Sequence, residues 1–409
     1  MSVSPRPKVP NVSQHGFSSF RTDLFGRIKV SEPFTIFDSS HRYAQNYDFS
    51  DVTATNATVT YDANQSTSLL NVTTESGSKV YRESYRVFPY QPGKSLQVMQ
   101  TFVMSPAKAN LRQRVGYFSR ENGFYLEQDG TNIYLVKRSF STGSIVETRV
   151  AQADWNIDPL NGNGPSDLVL DLSKAQILWS EYEWLGVGSV RIGFAIDGYF
   201  IPVHAFHHAN QVTSSYMTTA SLPVRYEIEN TGVTSSASTL KQICVTVMSN
   251  GGYERQTERW TASKTASTSI GTSFVPIISI RLAAGRTDSV IIPSHIGLMP
   301  TGAGNLEWAL FHNATLTGAN TWTTHSTGNV QYNTDATALT GGDIVRQGYF
   351  AGSNQSTGAV DIYEGFNTFD LQLGRTNADT PVSDILTLAA RAVSGSSGTY
   401  GSLSWRDLL

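Results

Sequence analysis

The chain has 409 residues, a formal charge of −3 and only 15% charged side chains, against roughly 25% in an average soluble protein. This length is enough for two or three domains, and the weak negative charge predicts no attraction for nucleic acid or anionic membranes. The only cysteine, Cys244, excludes an intramolecular disulfide and a thiolate zinc site within one chain. Because the sequence has neither an apolar run of membrane-spanning length nor a secretory signal, we expect synthesis in the cytoplasm without a membrane anchor.

The first 22 residues predict an extended arm, since they are polar, contain three prolines and show no sustained periodicity. Apolar patterning begins directly afterwards, in LFGRIKVSEPFTIFD. We expect this segment to attach the protein to a larger particle, with the arm mobile before assembly and ordered after it. The side chains predicted to make the attachment are Leu24, Phe25, Ile28, Val30, Phe34, Ile36 and Phe37.

Residues 23–255 are predicted to form a jelly-roll-like β-sandwich domain. Segments such as SLQVMQTFVM, GFYLEQDGTNIYLVKRS and LPVRYEIEN alternate apolar and polar side chains and are separated by turn residues. The sequence shows no long amphipathic helix. Many strands at short spacing without intervening helices indicate antiparallel sandwiches or jelly rolls.

In DWNIDPLNGNG, residues 154–164, oxygen-bearing side chains stand at the first, third and fifth positions, as at the start of an EF-hand loop. Pro159 and Pro165 occupy the positions where that loop requires Gly and Glu. The EF-hand interpretation therefore fails, and a looser calcium site in this loop stays open.

Glu181 and Glu183 alternate on a predicted strand, as the catalytic carboxylates of jelly-roll glycoside hydrolases do. In the laminarinase-like pattern Glu-x-Asp-x-x-Glu, however, the third carboxylate falls on Gly186 and the central position is Glu183 instead of Asp. The pattern therefore favours an ion-paired or solvated strand face over catalysis.

Gly186 and Gly188 form a Gly-x-Gly, but Arg191 stands where a dinucleotide fingerprint requires its third glycine. Strand-like alternation resumes directly afterwards, and Asp197-Gly198 predicts a two-residue hairpin turn. We therefore interpret the glycines as a break between two strands rather than as a phosphate-binding loop.

Three histidines, His204, His207 and His208, lie close together in the following segment. Adjacent strand residues point to opposite faces, so His204 and His208 are able to share a face and His207 is not. Two imidazoles are fewer than the three protein ligands usual in catalytic zinc sites. This pattern favours hydrogen-bonded histidines over a metal site.

Two further features favour packing roles. Cys244 lies in the strand-like LKQICVTVM, and no base partner for a nucleophilic thiol is recognisable. Tyr81, Tyr85, Phe88 and Tyr90 lie close together, which is compatible with a sugar-binding face, a core or a subunit interface.

Residues 256–269 are predicted to be a linker, because small polar side chains outnumber apolar ones there. Apolar patterning resumes at FVPIISIRL and continues in LEWALFHNATL and DILTLAARAV. We therefore predict a second β-sandwich domain over residues 270–409. The predicted fold class is all-β, with two jelly-roll or β-sandwich domains preceded by an extended N-terminal arm.

Six stretches between residues 23 and 250 occur in the order DLFGRIKVSEPFTIFDSSHRY, FPYQPGKS, GYFSRENGFYLEQDG, EWLGVGSVRIGF, FHHAN and LPVRYEIEN, and the chain ends in GTYGSLSWRDLL. Together they resemble a group of structural proteins of tailed phages, notably those of marine bacteria and cyanobacteria. The resemblance implies a place in a virion, and the group offers no catalytic residues to carry over.

The first functional hypothesis is therefore a non-enzymatic virion component on the exterior of the head or tail, of decoration, fibre or baseplate type. We expect it to contact other virion proteins and to form a homo-oligomer, with a trimer favoured. The alternative is a carbohydrate-binding or glycan-degrading tail protein that binds a glycan of the host surface. No cofactor or metal is expected, and neither nucleic acid nor a membrane is an expected partner.

Overall fold

The computed structural model describes residues 32–254, 258–352, 358–361 and 371–408. Regular structure in these ranges is β apart from the 3-10 turn Gln152–Asp154, which confirms the predicted all-β class. None of the described residues belongs to a helix long and apolar enough to cross a membrane. Contacts divide the chain into unit 1, residues 32–84 and 88–254, and unit 2, residues 85–87 and the described residues from 258 onward.

Unit 1 consists of short antiparallel strands. They are β1 (Pro33–Ser39), β2 (Phe49–Ala54), β3 (Thr58–Asp62), β4 (Thr67–Val72), β5 (Lys79–Ser84), β6 (Ser95–Val103), β7 (Leu111–Phe118), β8 (Gly123–Asp129), β9 (Asn132–Ser139), β10 (Val146–Ala151), β11 (Gln176–Tyr182), β12 (Val190–Ile196), β13 (Tyr199–Phe206), β14 (Val224–Asn230) and β15 (Ser238–Asn250). Sheet A has the order β13-β12-β11-β6-β15-β4-β3, with β1 also paired to β15, and sheet B has the order β10-β9-β8-β7-β14-β5-β2.

The two sheets of unit 1 pack face to face as a sandwich. Tyr117 of sheet B packs against Tyr182 of sheet A, with ring centroids 5.6 Å apart, and both side chains are buried. The hairpin predicted at Asp197-Gly198 joins β12 and β13, and both residues have positive φ, 52° and 82°.

The predicted attachment segment is described only in part. The arm over residues 1–22 lies outside the described residues, as do Leu24, Phe25, Ile28 and Val30. In β1, Phe34 is half-buried, whereas Ile36 and Phe37 are buried. Phe37 packs 4.9 Å from the ring of Phe88. Ile36 and Phe37 are therefore part of the core of unit 1, and the attachment role of the segment stays a prediction.

Unit 2 is also built from antiparallel strands. They are β16 (Glu258–Ile270), β17 (Val275–Leu282), β18 (Val290–Pro300), β19 (Leu306–His312), β20 (Thr315–Gly318), β21 (Thr323–Thr324), β22 (Val330–Asn333), β23 (Ala336–Thr340), β24 (Asp343–Phe350), β25 (Gly358–Asp361), β26 (Ile385–Ala392) and β27 (Ser397–Leu408). Sheet C has the order β16-β27-β18-β25, sheet D has the order β21-β22-β17-β26-β19-β24, and β20 pairs with β23. Apolar side chains of sheets C and D share one buried cluster, which makes unit 2 a second sandwich.

The segment predicted to be a linker, residues 256–269, differs from that prediction. Residues 258–270 form β16, which pairs with β27 along sheet C. Most of its serines and threonines are exposed, while Ala262 and Ile270 join the core of unit 2 and Trp260 packs against it. A strand with one solvated face needs apolar residues only on its other face. The many small polar residues of β16 therefore resemble a linker in the sequence.

Candidate functional site

Sheet B turns one face toward sheet A and the other face outward. On β14, Tyr226 points toward sheet A, since its hydroxyl lies 3.4 Å from the carbonyl oxygen of Cys244 on β15. Side chains alternate along a strand, so Arg225 and Glu227 point outward. The registers of β5, β7 and β8 place further charged side chains on this same outward face.

Eight outward side chains of sheet B form one continuous row of alternating charges, which we call the charge ladder. In order of contact it consists of Glu83, Arg225, Glu227, Arg114, Glu127, Arg149, Glu147 and Arg138. The nitrogen–oxygen distances along it are 2.7, 2.6, 3.1, 2.6, 3.0, 3.5 and 2.7 Å. Every carboxylate of the charge ladder therefore contacts at least one guanidinium.

The charge ladder keeps two of its carboxylates, Glu227 and Glu147, ionised. Burial alone would raise the pKa of Glu227, but the charges of Arg225 and Arg114 outweigh burial and hold this pKa well below its ordinary value. Burial would likewise raise the pKa of Glu147, and hydrogen bonds led by that from Arg138 lower it instead. Neither group is suited to donate a proton near neutral pH.

A second feature lies on sheet A. An open cavity of about 210 Å³, which we call the Glu181 pocket, has polar side chains on β6, β11 and β12, in the loop between β11 and β12, and directly after β13. These polar side chains are Ser95, Glu181, Glu183, Ser189, Arg191 and His207. Glu181 points away from sheet B, because its neighbour Tyr182 packs against Tyr117 of that sheet. The pocket therefore opens on the outward face of sheet A.

Two polar pairs shape the Glu181 pocket. Arg191 lies opposite Glu181 on the neighbouring strand and forms an ion pair with it. The Ser189 hydroxyl lies 3.0 Å from Nδ1 of His207. Glu183 is exposed and makes no ion pair with any described residue. The two predicted carboxylates thus lie in one pocket. The charge of Glu181 is balanced by the guanidinium of Arg191, whereas Glu183 has no such partner among the described residues.

Aromatic side chains continue the same face beside the Glu181 pocket. Trp179 lies two residues before Glu181 on β11 and packs edge-to-face with Phe200, with centroids 5.8 Å apart. The indole fits over Gly193, where a Cβ would lie 2.5 Å from Trp179 Cζ2. Trp179 is buried beneath its neighbours, whereas Phe200 is 55% exposed. An exposed ring is therefore displayed on the same face as the polar pocket, on the far side of Trp179.

The predicted break between strands forms a short loop, residues 183–189, at the mouth of the Glu181 pocket. Gly186 has φ 77°. A Cβ at Gly188 would lie 1.9 Å from the carbonyl oxygen of Glu183, so only glycine closes this turn. Leu185, which directly precedes Gly186, also has a positive φ of 37°, and its side chain is 57% exposed. The two glycines serve the turn between β11 and β12, as predicted.

The other two histidines are buried away from the Glu181 pocket. Nδ1 of His204 accepts the N–H of Asn156 at 3.2 Å. His208 bonds through Nδ1 to the carbonyl of Gly188 at 2.6 Å and through Nε2 to Lys137 at 3.0 Å. Across the part of the chain that the structure describes, no three His, Cys, Asp or Glu side chains converge as metal ligands.

The acidic side chain at the centre of the predicted calcium loop has backbone partners. Asp158 is buried and accepts the N–H groups of Leu160 and Ser166, each at 2.9 Å. Its carboxylate fixes the loop backbone as an Asx turn does.

The aromatic residues near position 85 in unit 1 mostly pack internally. Phe88 lies in the core beside Phe37, and Tyr90 stacks on Tyr182 with centroids 5.6 Å apart. Tyr81 lies under the guanidinium of Arg225 at 4.1 Å. On the face of sheet A that carries the Glu181 pocket, the exposed aromatic ring is that of Phe200 instead, which was not singled out from the sequence.

No protein family and no curated protein matches the sequence. Among solved structures, the carbohydrate recognition domain of Emp47p is 11% identical, with a TM-score of 0.33 over 52% of this chain and 94% of that one. A Bacteroides ovatus mixed-linkage glucan GH16 protein is 9% identical, with a TM-score of 0.35 over 52% and 99%. Winged bean acidic lectin is 9% identical, with a TM-score of 0.29 over 54% and 99%. Likeness at this level carries no argument about function.

Proposed function

We propose that this chain is a binding protein without catalytic turnover and that the Glu181 pocket takes a glycan. One observation carries the proposal: an ion pair and a hydroxyl–imidazole pair line one open pocket, and an exposed aromatic ring lies on the same face beyond Trp179. A sugar ring offers hydroxyls along its edge and C–H groups on its face. Polar groups fixed beside an aromatic surface suit such a ligand.

The absence of turnover is proposed from the state of the carboxylates. Glycoside hydrolysis uses two carboxyl groups, one of which must be protonated to act as the acid. In the Glu181 pocket, Arg191 forms an ion pair with Glu181, and Gly186 stands where a third carboxylate would be. The carboxylates of the charge ladder are engaged by arginines as well.

Binding is tested by isothermal titration calorimetry, in which the purified full chain is titrated with a panel of host-surface oligosaccharides and the affinity is measured. We expect Arg191→Ala and Phe200→Ala to weaken binding at least tenfold. Tyr199→Ala is the matched control, because Tyr199 is also exposed but adjoins Phe200 on the strand and points to the other face. Unchanged affinity in Arg191→Ala and Phe200→Ala would overturn the site.

Turnover is tested separately by incubating the protein with the same glycans and measuring new reducing ends. We expect none to accumulate. Product that forms with the parent protein and disappears in Glu181→Gln or Glu183→Gln would show that the pocket is catalytic.

As a second candidate, we propose that the protein is a component of a tailed-phage virion, on the exterior of the head or tail. The motif resemblance supports this. Mass spectrometry and immunogold labelling of purified particles test the location.

Deleting residues 1–22 should leave the two units folded and reduce incorporation into particles. Absence from particles, or normal incorporation of the truncated chain, would count against this candidate or its attachment arm respectively.

A further inference from the structure

We infer that unit 2 carries an anion-binding site on the outward face of sheet C and that this site takes a sulfate or phosphate group. The site is an open cavity of about 330 Å³, which we call the Arg259 pocket. The polar side chains that line it are Arg259, Thr261, Ser294, His295, Ser404 and Arg406. All of them belong to unit 2, so the inference is independent of the glycan proposal for the Glu181 pocket.

The strand register of sheet C places two arginines side by side. Arg259 on β16 lies directly opposite Arg406 on β27. The next pair along the two strands, Trp260 and Trp405, lies on the core side of the sheet, where Trp405 is fully buried. Because side chains alternate along a strand, both arginines point to the outward face. Directly opposed Cβ atoms lie about 5 Å apart, so both guanidiniums are within reach of one ligand.

This pair of arginines has an electrostatic cost. Like charges directly opposite each other destabilise a sheet. Glu258 and Asp407, which also oppose each other, alternate to the core side together with the tryptophans and do not lie between the arginines. The described side chains that line the Arg259 pocket include no carboxylate. An anion bound beside Arg259 and Arg406 would offset their repulsion.

Neutral donors complete the Arg259 pocket. Ser404 lies opposite Thr261 on one side and His295 on the other, and its hydroxyl donates to the Thr261 hydroxyl at 3.2 Å. Ser294 occupies the bulge that shifts the register between Pro293 and His295. Bulges re-aim side chains and are frequent beside functional sites. The Ser294 side chain is 6% exposed, lines the cavity and makes no hydrogen bond to any described residue, so its hydroxyl is available to a ligand.

The donors of the Arg259 pocket predict a tetrahedral oxyanion. Guanidinium groups bind such oxygens through charge-assisted hydrogen bonds. A carboxylate has two oxygens in one plane, whereas a sulfate or phosphate group has oxygens that point in several directions. Arg259, Arg406 and Ser294 come from three neighbouring strands, β16, β27 and β18, and this spread suits the tetrahedral group. The chain carries a net charge of −3, so binding depends on these local donors rather than on long-range attraction.

The test is isothermal titration calorimetry of the full chain with sodium sulfate and with sodium phosphate, at an ionic strength held constant with sodium chloride. We expect saturable binding that Arg259→Gln weakens about fivefold or more, because a charge-assisted contact is lost. Ser294→Ala should weaken it about threefold. Glucose 6-sulfate and glucose 6-phosphate, titrated in parallel, distinguish a sulfated from a phosphorylated ligand.

Two arginine variants serve as controls. Arg286→Gln removes an exposed arginine of unit 2 that does not line the cavity, and Arg191→Ala alters only the Glu181 pocket. Both should keep the affinity of the parent. Absence of saturable binding by the parent, or equal losses in Arg259→Gln and Arg286→Gln, would overturn the site. Binding that Arg191→Ala abolishes would place the anion in the Glu181 pocket and overturn it as well. None of these outcomes bears on whether the Glu181 pocket binds a neutral glycan.

Discussion

Arg114 donates a hydrogen bond from Nε to Glu127 at 2.6 Å, and Glu127 is fully buried on the outward face of sheet B. The other end of the same guanidinium contacts Glu227 at 3.1 Å. Arg114 therefore connects two buried carboxylates on the strands at either side of its own. Removing it leaves negative charge in a poorly solvated place.

We expect Arg114→Met to lower the free energy of unfolding by about 3 kcal/mol or more, because an unpaired buried carboxylate retains its desolvation cost. Urea denaturation measures the change. Arg112→Met is the control, since Arg112 pairs with Glu229 at 2.8 Å but both side chains are 24% exposed. That rim pair should be worth less than about 1 kcal/mol. Equal losses in the two variants would show that burial of the charge ladder does not matter.

Acid should destabilise unit 1 through a buried histidine, His41. Burial, with a contribution from Arg82, lowers the pKa of His41 from 6.5 to about 4. The folded state therefore prefers neutral His41, so stability is full above pH 6.5 and falls as the pH drops from 6.5 toward 4, by up to about 1.4 kcal/mol per pH unit.

The variant His41→Gln distinguishes the contribution of His41 to this pH dependence from the contributions of other titratable groups. Urea denaturation between pH 7 and 4 should show a shallower loss in the variant. Some slope remains, because burial also lowers the pKa values of His204 and His208. Parallel profiles for parent and variant would rule out His41 as the source.

Gly193→Ala should displace Trp179. An added Cβ would lie 2.2 Å from the Ile201 carbonyl oxygen and 2.5 Å from the indole, so the strand or the ring must move, at a cost of about 1–3 kcal/mol. Tryptophan fluorescence and thermal denaturation measure both effects. Gly271→Ala is the control, because nothing lies within 4 Å of its added Cβ. A silent Gly193→Ala variant would contradict the described packing of Trp179.

Cys244 should react with thiol reagents in the folded protein, but slowly. Its side chain is exposed, while partial burial raises the pKa of the thiol. The thiolate is the reactive form, so the labelling rate should rise with pH through 9 and above. Stopped-flow measurement with a disulfide reagent gives the rate, and Cys244→Ser is the blank. A need for denaturant would contradict the exposed position.

Period-two alternation was sufficient to predict several strands of unit 1, among them β6, β8, β9 and β14, and the hairpin at Asp197-Gly198. It also placed Glu181 and Glu183 on one face, where the structure has them. Alternation failed for β16, because a strand whose outward face carries serine and threonine has the composition of a linker. Only the spacing of Trp260 and Ala262 signalled its core-facing side.

The charge ladder was beyond sequence reasoning because its contacts join distant positions. Arg225 and Glu83 are 142 residues apart, and Arg114 and Glu227 are 113 apart. The segment VRYEIEN does alternate charged and apolar residues, which indicates two differently used faces, but no local pattern names the partners.

The position of β15 in sheet A has a consequence for biosynthesis. β15, residues 238–250, pairs with β6, β4 and β1, all of which leave the ribosome much earlier. At roughly 5–20 residues per second, those strands wait on the order of ten seconds for their shared neighbour. Until then the strand edges that pair with β15 lack their hydrogen-bond partners, and the two halves of sheet A on either side of β15 are not joined. Nascent chains that end before β15 should therefore require chaperones, and translational pausing just upstream of it should increase aggregation.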